Sequence, residues 1–323
     1  GVLQVNQMRI IEKIQQKIFV RYGFGFAQKI PQINLSAIDD YYLPELVNRF
    51  FDTLTLQKKL AKLLLDFPLA IVQIIFGLVL LAFYHPVFIA FGLILVVVVY
   101  SILYFSGKRG LITSIEESTF KYKVVAWLEE IARIIRSVKF AKSPGFTLQK
   151  ADDRITGYLQ FRTEHFKILL LQYKTLIAFK VLVTAAMLMV GTFLMINQQL
   201  TVGQFIAAEI VILTILNSVE KLIVNLDSVY DVLTAVEKIE QVTDKESEQQ
   251  GTIPYSGQPG KGMSVQLQDL GFSYDGSSGV ISNISLQVQP GEKVCITGDD
   301  GSGKSTLLRI IAGLETPTAG RIE

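Results

Sequence analysis

Cysteine is almost absent from this sequence. Cys295 is the only one among 323 residues, so no internal disulfide can form. Small secreted proteins that are held together by disulfides are thereby excluded. Cys295 lies in the apolar run Val294–Ile296, where we expect a buried structural thiol.

Charged residues are also scarce. They make up 19% of the chain, hydrophobic residues make up 50%, and the mean hydropathy is +0.39. A soluble domain of this size needs a larger polar surface, so a bilayer is the expected solvent for part of the chain, and membrane lipids are expected partners. The formal net charge of +2 does not by itself indicate a partner, and no nucleic acid is expected.

A secretion signal is not visible, because Arg9, Glu12 and Lys13 interrupt the apolar residues near the start of the chain. The chain begins with Gly1 rather than methionine and stops at Glu323, soon after a helix that should open a domain. We therefore interpret the sequence as a fragment of a longer protein.

Long hydrophobic runs, in contrast, are abundant. Residues 67–83 and 87–105 carry no charge, and Tyr84-His85-Pro86 between them is suited to a tight turn between antiparallel helices. Each run approaches the ~20 residues that cross a hydrocarbon core. A buried hairpin of a soluble protein is the alternative, but a stretch such as Val96–Val99 makes the helix apolar on all faces and favours a membrane.

Two further runs, 175–196 and 202–224, are joined by the short linker Asn197–Leu200. Neither short turn contains lysine or arginine, whereas the long segments between the hairpins are basic. The positive-inside rule therefore places the turns outside and the long segments in the cytoplasm. We expect an integral protein of the cytoplasmic (inner) membrane with four spans in this chain.

The polar segments are predicted to be helical. Residues 1–65 follow a helical period that Ile30-Pro31 interrupts, since proline disfavours helical geometry in the residue before it. Residues 107–167 form a long basic excursion, and helices on either side of Ser143-Pro144-Gly145 would project tens of Å from the bilayer at ~1.5 Å per residue.

Two charged residues lie close to or within the spans. Lys180 is near the cytoplasmic end of its helix, and we expect it to extend to the lipid headgroups. Glu209 lies eight residues after Thr201, about 12 Å into the membrane by helical rise. A carboxylate at that depth usually faces a cavity or a partner, so Glu209 is a candidate for the transport path, with pairing between helices or a water-filled crevice as alternatives.

A glycine-rich loop lies near the C-terminus. Residues 293–297 are predicted to be a strand, and apolar residues from Leu307 to Leu314 follow helical spacing. Between them the chain reads Gly298-Asp299-Asp300-Gly301-Ser302-Gly303-Lys304-Ser305-Thr306. A strand, the pattern G-x-x-x-x-G-K-S and a helix are together the context of a P-loop, which binds the phosphates of a nucleotide.

Each residue type in this loop has a physical purpose. The glycines bring backbone N–H groups against phosphate oxygens, and the helix N-terminus adds partial positive charge there. Lys304 is expected to bridge the terminal phosphates, and the Ser305 hydroxyl is expected to ligate Mg²⁺. The whole stretch 298–306 is therefore predicted to bind the nucleotide.

With these residues the chain resembles the ABC transporter family, and within it the exporter-type half-transporters. The loop and its helix look like the start of the family's ATP-binding domain, and Phe272-Ser273-Tyr274 resembles the family's loop that stacks an aromatic ring on adenine. The order, with the membrane part first and the ATP-binding part second, is similar to that of the family's exporters. The resemblance implies ATP and Mg²⁺ as cofactors, with Tyr274 on adenine; an aromatic residue at a sheet edge is the alternative for Tyr274.

The fold expected from pattern and resemblance is an α-helical transmembrane bundle followed by the N-terminal part of an α/β P-loop nucleotide-binding domain. We expect the transmembrane domain over 1–242, a linker over 243–262, and the partial ATP-binding domain over 263–323. The resemblance implies transverse coupling helices near Asp40–Asn48 and Ser118–Ala126.

The resemblance also implies an ATP hydrolase that exports an unknown substrate and pairs with a second half-transporter as a homo- or heterodimer. The family's catalytic glutamate and switch histidine would lie beyond Glu323, so this fragment is expected to bind nucleotide weakly, if at all, and not to hydrolyse it. Asp299 and Asp300 depart from many family members and should point outward. The alternatives are a membrane-anchored regulatory P-loop NTPase that does not transport, and a structural membrane protein with a degenerate P-loop.

Overall fold

A computed structural model describes residues 2–34, 43–141, 144–248, 262–274 and 279–323, with the side chains of residues 43, 44 and 144 outside the description. The chain divides into two compact units. The helical unit comprises Gly1–Gln28 and Tyr42–Asp244, and the second unit comprises Lys29–Tyr41 and Lys245–Glu323. Each is described by itself.

Helices dominate the part of the chain before residue 244. They are α1 (Val2–Lys29), α2 (Leu43–Asn48), α3 (Asp52–Tyr84), α4 (Val87–Arg133), α5 (Ile135–Ala141), α6 (Pro144–Ile196), α7 (Val202–Val224) and α8 (Leu226–Thr243). Short 3-10 turns follow α1 at Ile30–Gln32 and α2 at Arg49–Phe51. The predicted interruption at Ile30-Pro31 is confirmed.

The helical unit contains four helices that are long and apolar enough to cross a membrane. They run over Glu45–Tyr84, Val87–Arg133, Gly145–Ile196 and Val202–Thr243 within the described residues. Large apolar side chains in them are exposed on several faces, as in Phe76, Val97 and Met189. In an aqueous protein these side chains would be buried, so their exposure fits a lipid surround, and the four predicted spans are confirmed.

The two predicted turns occur where the sequence placed them. His85 adopts an extended conformation and ends α3, and Pro86 begins α4. Thr201 and Gln204 form a capping box at α7: the Gln204 N–H donates to Thr201 Oγ1 at 3.2 Å, and the Thr201 N–H donates to Gln204 Oε1 at 2.9 Å. Both bonds satisfy donors that a helix leaves free at its start.

The core of the helical unit depends on small residues that let helices approach closely. A side chain added at Gly77 on α3 would place its Cβ 2.6 Å from Ile215 Cγ1 on α7. A Cβ at Gly191 on α6 would similarly meet the ring of Phe205 on α7. Van der Waals contact between closely approaching backbones is a main source of helix association in membranes, where no hydrophobic driving force between helices remains.

One of the two predicted coupling helices is wrong. Residues 118–126 lie inside α4, which continues without interruption to Arg133 because no proline or glycine breaks it there. The helix breaks instead at Ile134, and the short helix α5 follows. For the other prediction, the short helix α2 covers Leu43–Asn48, and residues 40–42 lie outside the described residues.

The second unit contains a three-stranded antiparallel sheet in the order β2-β1-β3, with β1 at Val265–Phe272, β2 at Ile281–Val288 and β3 at Ala319–Ile322. Apolar residues alternate with polar ones at Val265 and Leu267 in β1 and at Ile284, Leu286 and Val288 in β2, a pattern typical of strands. Helix α9 (Lys304–Ile311) packs on the sheet through Leu307 and Ile310. Ahead of the sheet, Ile33 pairs with Ser247 in an antiparallel bridge.

The predicted strand at 293–297 does not form. A strand requires a neighbour for its N–H and C=O groups, and none of the described residues pairs with this segment. Cys295 is consequently exposed, so the prediction of a buried thiol is also wrong. The bounds of the linker at 243–262 stay a prediction, since residues 249–261 lie outside the described ranges.

Candidate functional site

The glycine-rich loop turns back on itself before α9. Gly301 and Gly303 have φ angles of 82° and 86°, in the left-handed region that residues with a side chain rarely occupy. The Ser302 N–H donates to the Asp299 carbonyl at 3.2 Å and closes the turn. The helix then starts with the bond from the Leu307 N–H to the Gly303 carbonyl at 2.9 Å.

Lys304 lies across this loop. Its Nζ donates to the Gly298 carbonyl at 2.8 Å and to the Asp299 carbonyl at 2.6 Å, and lies 3.4 Å from Ser302 Oγ. The ammonium group is thus held above the concave side of the loop by neutral acceptors, and no described carboxylate neutralises it. Such a cation can exchange carbonyl oxygens for phosphate oxygens, which are stronger acceptors.

The N-terminus of α9 has free donors. Gly303 is the N-cap residue and has no side chain that could accept from the first-turn N–H groups. These groups, together with the helix dipole, form a site that favours an anion. The uncapped helix start beside Lys304 therefore fits the phosphates of a nucleotide. The bonds from Lys304 to the carbonyls of Gly298 and Asp299 were not predicted.

The remaining loop side chains are oriented toward solvent. Asp299, Asp300 and Ser305 are exposed. The exposure of the two carboxylates agrees with the expectation that they point away from the phosphates. The described residues contain no group of three or more histidine, cysteine or carboxylate side chains that could hold a metal. The role of the Ser305 hydroxyl as a ligand of Mg²⁺ stays a prediction.

Tyr274 lies beside the start of α9. Its hydroxyl is 3.3 Å from Thr306 Oγ1, and its ring meets the ring of Phe272 edge-on at 4.8 Å between centroids. The Tyr274 side chain is about half exposed at 48%, whereas Thr306 is buried. An exposed ring face next to the phosphate loop can stack on a base. Thr306 is thus placed to position Tyr274, and its contact with the nucleotide stays a prediction.

One contact of the loop was not predicted from the sequence. A Cβ at Gly303 would lie 3.0 Å from the Val280 carbonyl and 3.3 Å from Ile281 Cγ1, at the start of β2. The loop thus rests directly on the sheet, and the glycine is needed for close approach as well as for its φ angle. The pattern G-x-x-x-x-G-K-S indicates a glycine here but not the strand that it contacts.

In the spans, Lys180 has partners on a neighbouring helix. Its Nζ lies 2.5 Å from Glu220 Oε2 and 3.1 Å from Asn217 Oδ1, both on α7. Tyr173 Oη donates to the other Glu220 oxygen at 3.3 Å. Lys180 therefore pairs between α6 and α7, a contact that was not predicted, and its extension to the headgroups stays a prediction.

Glu209 lies on α7 and is half-buried. No hydrogen bond or ion pair joins its side chain to any residue that the structure describes. It lies about 12 Å along the helix from Thr201 by helical rise. Pairing between helices within this part of the chain, one of the alternatives, is thus not observed.

Comparison with known proteins gives two family matches along the chain. The family model described as "ABC transporter transmembrane region" matches residues 8–219, and the model described as "ABC transporter" matches residues 281–323. The first covers the span-forming helices and the second starts at β2 and includes the phosphate loop.

Curated relatives match over short stretches of the chain. The nitrate import ATP-binding protein NrtD of Synechocystis is 48% identical over 63 residues, which is 19% of this chain and 24% of that protein. The mycobactin import ATP-binding/permease protein IrtB of Mycobacterium tuberculosis is 48% identical over 59 residues, which is 18% of this chain and 10% of that protein. The match therefore extends over less than a quarter of either relative.

Among solved structures, a bacterial Atm1-family ABC exporter with ATP bound superposes with a TM-score of 0.77 at 17% identity. The match covers 100% of this chain and 57% of that chain. At this identity the likeness shows the fold, a helical membrane bundle followed by a small sheet that belongs to an ATP-binding part.

Proposed function

The chain belongs to the ABC transporter family, and on that premise we propose that it is part of an exporter that couples ATP binding and hydrolysis to substrate export. It is an integral membrane protein with its ATP-binding domain on the cytoplasmic side. The proposal rests on one observation: a single chain joins four helices that can span a membrane to a phosphate loop. In that loop Lys304 forms no ion pair with a described carboxylate, and the helix start has no capping side chain.

The residues of the nucleotide site are proposed to have distinct roles. The backbone of Gly298 through Gly303 would surround the phosphates, and Lys304 would leave the carbonyls of Gly298 and Asp299 to bind the terminal phosphate oxygens. Ser305 would ligate Mg²⁺, and Tyr274, steadied by Thr306, would stack on adenine. When bound, Mg²⁺ would neutralise phosphate charge. Residues 263–323 would thus form the first part of an ATP-binding domain.

We assign the transmission of motion from the ATP-binding domain to the spans to the short helices α2 and α5. α2 stays the first candidate coupling helix, and we assign the second to α5, where the chain turns between α4 and α6. Phe140 on α5 is 85% exposed, and Lys139 lies beside it. An exposed aromatic residue with adjacent positive charge is suited to a partner surface. The domain division at 242 and 263 is retained as part of the proposal.

A complete transporter would require a second half, as a homo- or heterodimer, because the family shares each ATP site between two such domains. Glu209 is proposed to lie on the transport path, since an unpaired carboxylate at that depth is best accommodated by water or by a substrate.

The direction of transport is the part that an experiment must decide, because IrtB, named as an importer, also joins an ATP-binding and a permease part. The full-length protein is reconstituted in liposomes with ATP supplied to one side, and a panel of fluorescent amphipathic probes is followed. Export predicts movement away from the side that carries the ATP-binding domain. Movement toward that side would contradict export, and ATP turnover without movement of any probe would favour a regulatory NTPase.

A further inference from the structure

A groove follows the seam between α4 and α6 at the cytoplasmic end of the predicted spans. It has a volume of about 310 Å³, and Leu171 on its rim is 60% exposed. Ser106 in its wall directly follows the uncharged run 87–105, and Gln172 lies less than one helical turn before the apolar run 175–196. The groove therefore lies at the level where the hydrocarbon core meets the lipid headgroups.

Gln172 presents a polar atom to this groove that no described residue satisfies. The side chain is 2% exposed, and its Nε2 lies 2.8 Å from both Ser106 Oγ and Tyr230 Oη. The Ser106 hydroxyl gives its only proton to the Ile102 carbonyl, which cannot donate. Ser106 Oγ must therefore accept from Gln172, which fixes the amide with its nitrogen on this side. The other amide atom, Oε1, is buried without a donor, a state that costs free energy until a donor reaches it.

The other polar side chains that line the groove are also acceptors. Ser101 Oγ donates to the Val97 carbonyl at 2.8 Å, and Thr175 Oγ1 donates to the Leu171 carbonyl at 2.9 Å. Each hydroxyl thereby uses its proton within its own helix and keeps its lone pairs. Both Nε2 protons of Gln172 are used in the two bonds above. Among the described lining residues, the polar wall therefore suits a ligand group that is rich in N–H or O–H donors.

Toward the middle of the membrane the same seam is lined only by apolar side chains. On α4, Val98 and Ile102 line the groove, and Ile94, one turn earlier, lines a second groove of about 190 Å³. On α6, Val183 and Met187 line this second groove, and every described residue around it is apolar. A seam that is polar at the headgroup level and apolar at greater depth suits an amphipathic molecule whose chain points into the bilayer.

Positive charges lie on the cytoplasmic side of the groove. Lys108 is three residues after Phe105 on α4, and Lys167 is four residues before Leu171 on α6, so helical spacing places both lysines on the stripes that form the groove. Both side chains are exposed, and neither forms an ion pair with a described residue. Their charge complements the phosphate of a lipid headgroup.

We propose that this groove binds one phospholipid of the cytoplasmic leaflet whose headgroup carries N–H donors, of the phosphatidylethanolamine class. Its ammonium group would donate to Gln172 Oε1, Lys108 and Lys167 would attract its phosphate, and one acyl chain would follow the seam toward Ile94. Phosphatidylcholine has the same phosphate and chains but no donor, so the groove should discriminate against it. The site is for a lipid rather than for the cargo, and it does not depend on the proposed transport function.

Native mass spectrometry of the full-length protein counts bound lipids directly. The delipidated protein in detergent is titrated, without nucleotide, with phosphatidylethanolamine, its N,N-dimethyl derivative or phosphatidylcholine, all with identical acyl chains. We expect the first lipid to bind about fivefold more tightly as phosphatidylethanolamine than as phosphatidylcholine, the effect of one hydrogen bond. The dimethyl derivative is nearly as bulky as phosphatidylcholine but keeps one N–H, so it should retain most of the preference.

Two variants and a control locate the preference in the groove. Gln172→Met keeps the length of the side chain and removes the acceptor, so the preference should disappear. Because this change also removes the donor to Ser106 and Tyr230, Ser101→Leu is the second variant: it fills the groove, leaves the Gln172 bonds in place and should abolish the preference at an unchanged melting temperature. Thr214→Leu replaces an exposed hydroxyl on α7 that likewise donates within its own helix, and it should keep the preference.

Three results would overturn the proposal. Equal binding of phosphatidylethanolamine and phosphatidylcholine to the wild type would mean that water or a transported molecule satisfies Gln172 Oε1. A dimethyl derivative that binds as weakly as phosphatidylcholine would show selection by size rather than by a donor. A preference that persists in Ser101→Leu would place the selected lipid elsewhere. Because neither nucleotide nor transport is involved, failure of the transport proposal would produce none of these results.

Discussion

The ammonium group of Lys304 lies 2.6 Å from the carbonyl oxygen of Asp299, five residues earlier in the chain. This bond folds the lysine over its own loop and leaves the N–H groups at the start of α9 without a competing side chain. The Lys304 ammonium group and the free N–H groups of α9 therefore lie close together. That convergence explains why the loop is suited to a polyphosphate, whose oxygens are better acceptors than the carbonyls.

Tyr274 is expected to contribute to recognition of the base but not of the phosphates. Removing the ring by Tyr274→Ala should weaken ATP binding by about 1–3 kcal/mol, the range for loss of one base-stacking contact. Tyr274→Phe keeps the ring and loses only the bond to Thr306, so it should bind ATP nearly as well. The check is titration of full-length variants with ATP and with inorganic tripolyphosphate. An equal loss for both ligands in Tyr274→Ala would contradict stacking.

Gly303→Ala should reduce stability and ATP binding more than Gly291→Ala does, although both glycines have left-handed φ angles, of 86° and 83°. The backbone strain is the same in both and amounts to roughly 1 kcal/mol. Only Gly303 is also in close contact, since its Cβ would lie 3.0 Å from the Val280 carbonyl, whereas the space around Gly291 is open. We expect Gly291→Ala to lower the melting temperature slightly and Gly303→Ala to abolish ATP binding as well. Equal effects of the two changes would mean that the loop does not rest on β2.

Packing between α3 and α7 can be tested at Gly77. Gly77→Ala places a methyl group 2.6 Å from Ile215 Cγ1 and should destabilise the helical unit by about 1–3 kcal/mol. Ile215→Ala in the same chain removes the clashing atoms, so the double variant should lose less stability than the sum of the two single losses. Gly203→Ala, at an open position on α7, serves as the control. Thermal unfolding in detergent compares the wild type, both single variants, the double variant and the control, and additive losses in the double variant would argue against direct contact.

The pair of Lys180 and Glu220 predicts coupling between α6 and α7. Lys180→Glu should reduce stability, because two carboxylates would then face each other with Asn217 and Tyr173 around them. The double exchange Lys180→Glu with Glu220→Lys should recover most of this loss. Both side chains are about a quarter exposed, so the coupling energy is expected to be modest, on the order of 1 kcal/mol. A lysine that extended to the headgroups would instead give independent effects at the two positions.

Local signals in the sequence predicted a large part of the fold. The Asn197–Leu200 linker and the Tyr84-His85-Pro86 turn depend on neighbouring residues, so they could be recognised without tertiary information. The break at Ile134 was not predicted, because nothing in the residues around Ile134 resembles a helix terminator, whereas α6 begins at Pro144 within the predicted break at Ser143-Pro144-Gly145.

Features that depend on distant partners could not be predicted. Cys295 lies in an apolar run, but its burial would require a neighbouring strand that the described residues do not provide. The pairing of Lys180 with Glu220 spans 40 residues, and the contact of Tyr274 with Thr306 spans 32. Spacing along the chain predicts which residues are suited to bind phosphate, whereas the sheet that supports Gly303 becomes apparent only in three dimensions.

The proposed function requires that ATP held by the loop at 298–306 powers transport, and the substitution Lys304→Ala removes the lysine of that loop. The variant is compared with Lys293→Ala, an exposed lysine of the same unit outside the loop, in full-length protein reconstituted in liposomes. ATP affinity and ATP-dependent movement of the amphipathic probes are measured together. We predict that Lys304→Ala loses at least tenfold in ATP affinity, about 1.4 kcal/mol, and all ATP-dependent transport, while Lys293→Ala retains both. Unchanged transport in Lys304→Ala would contradict the assignment.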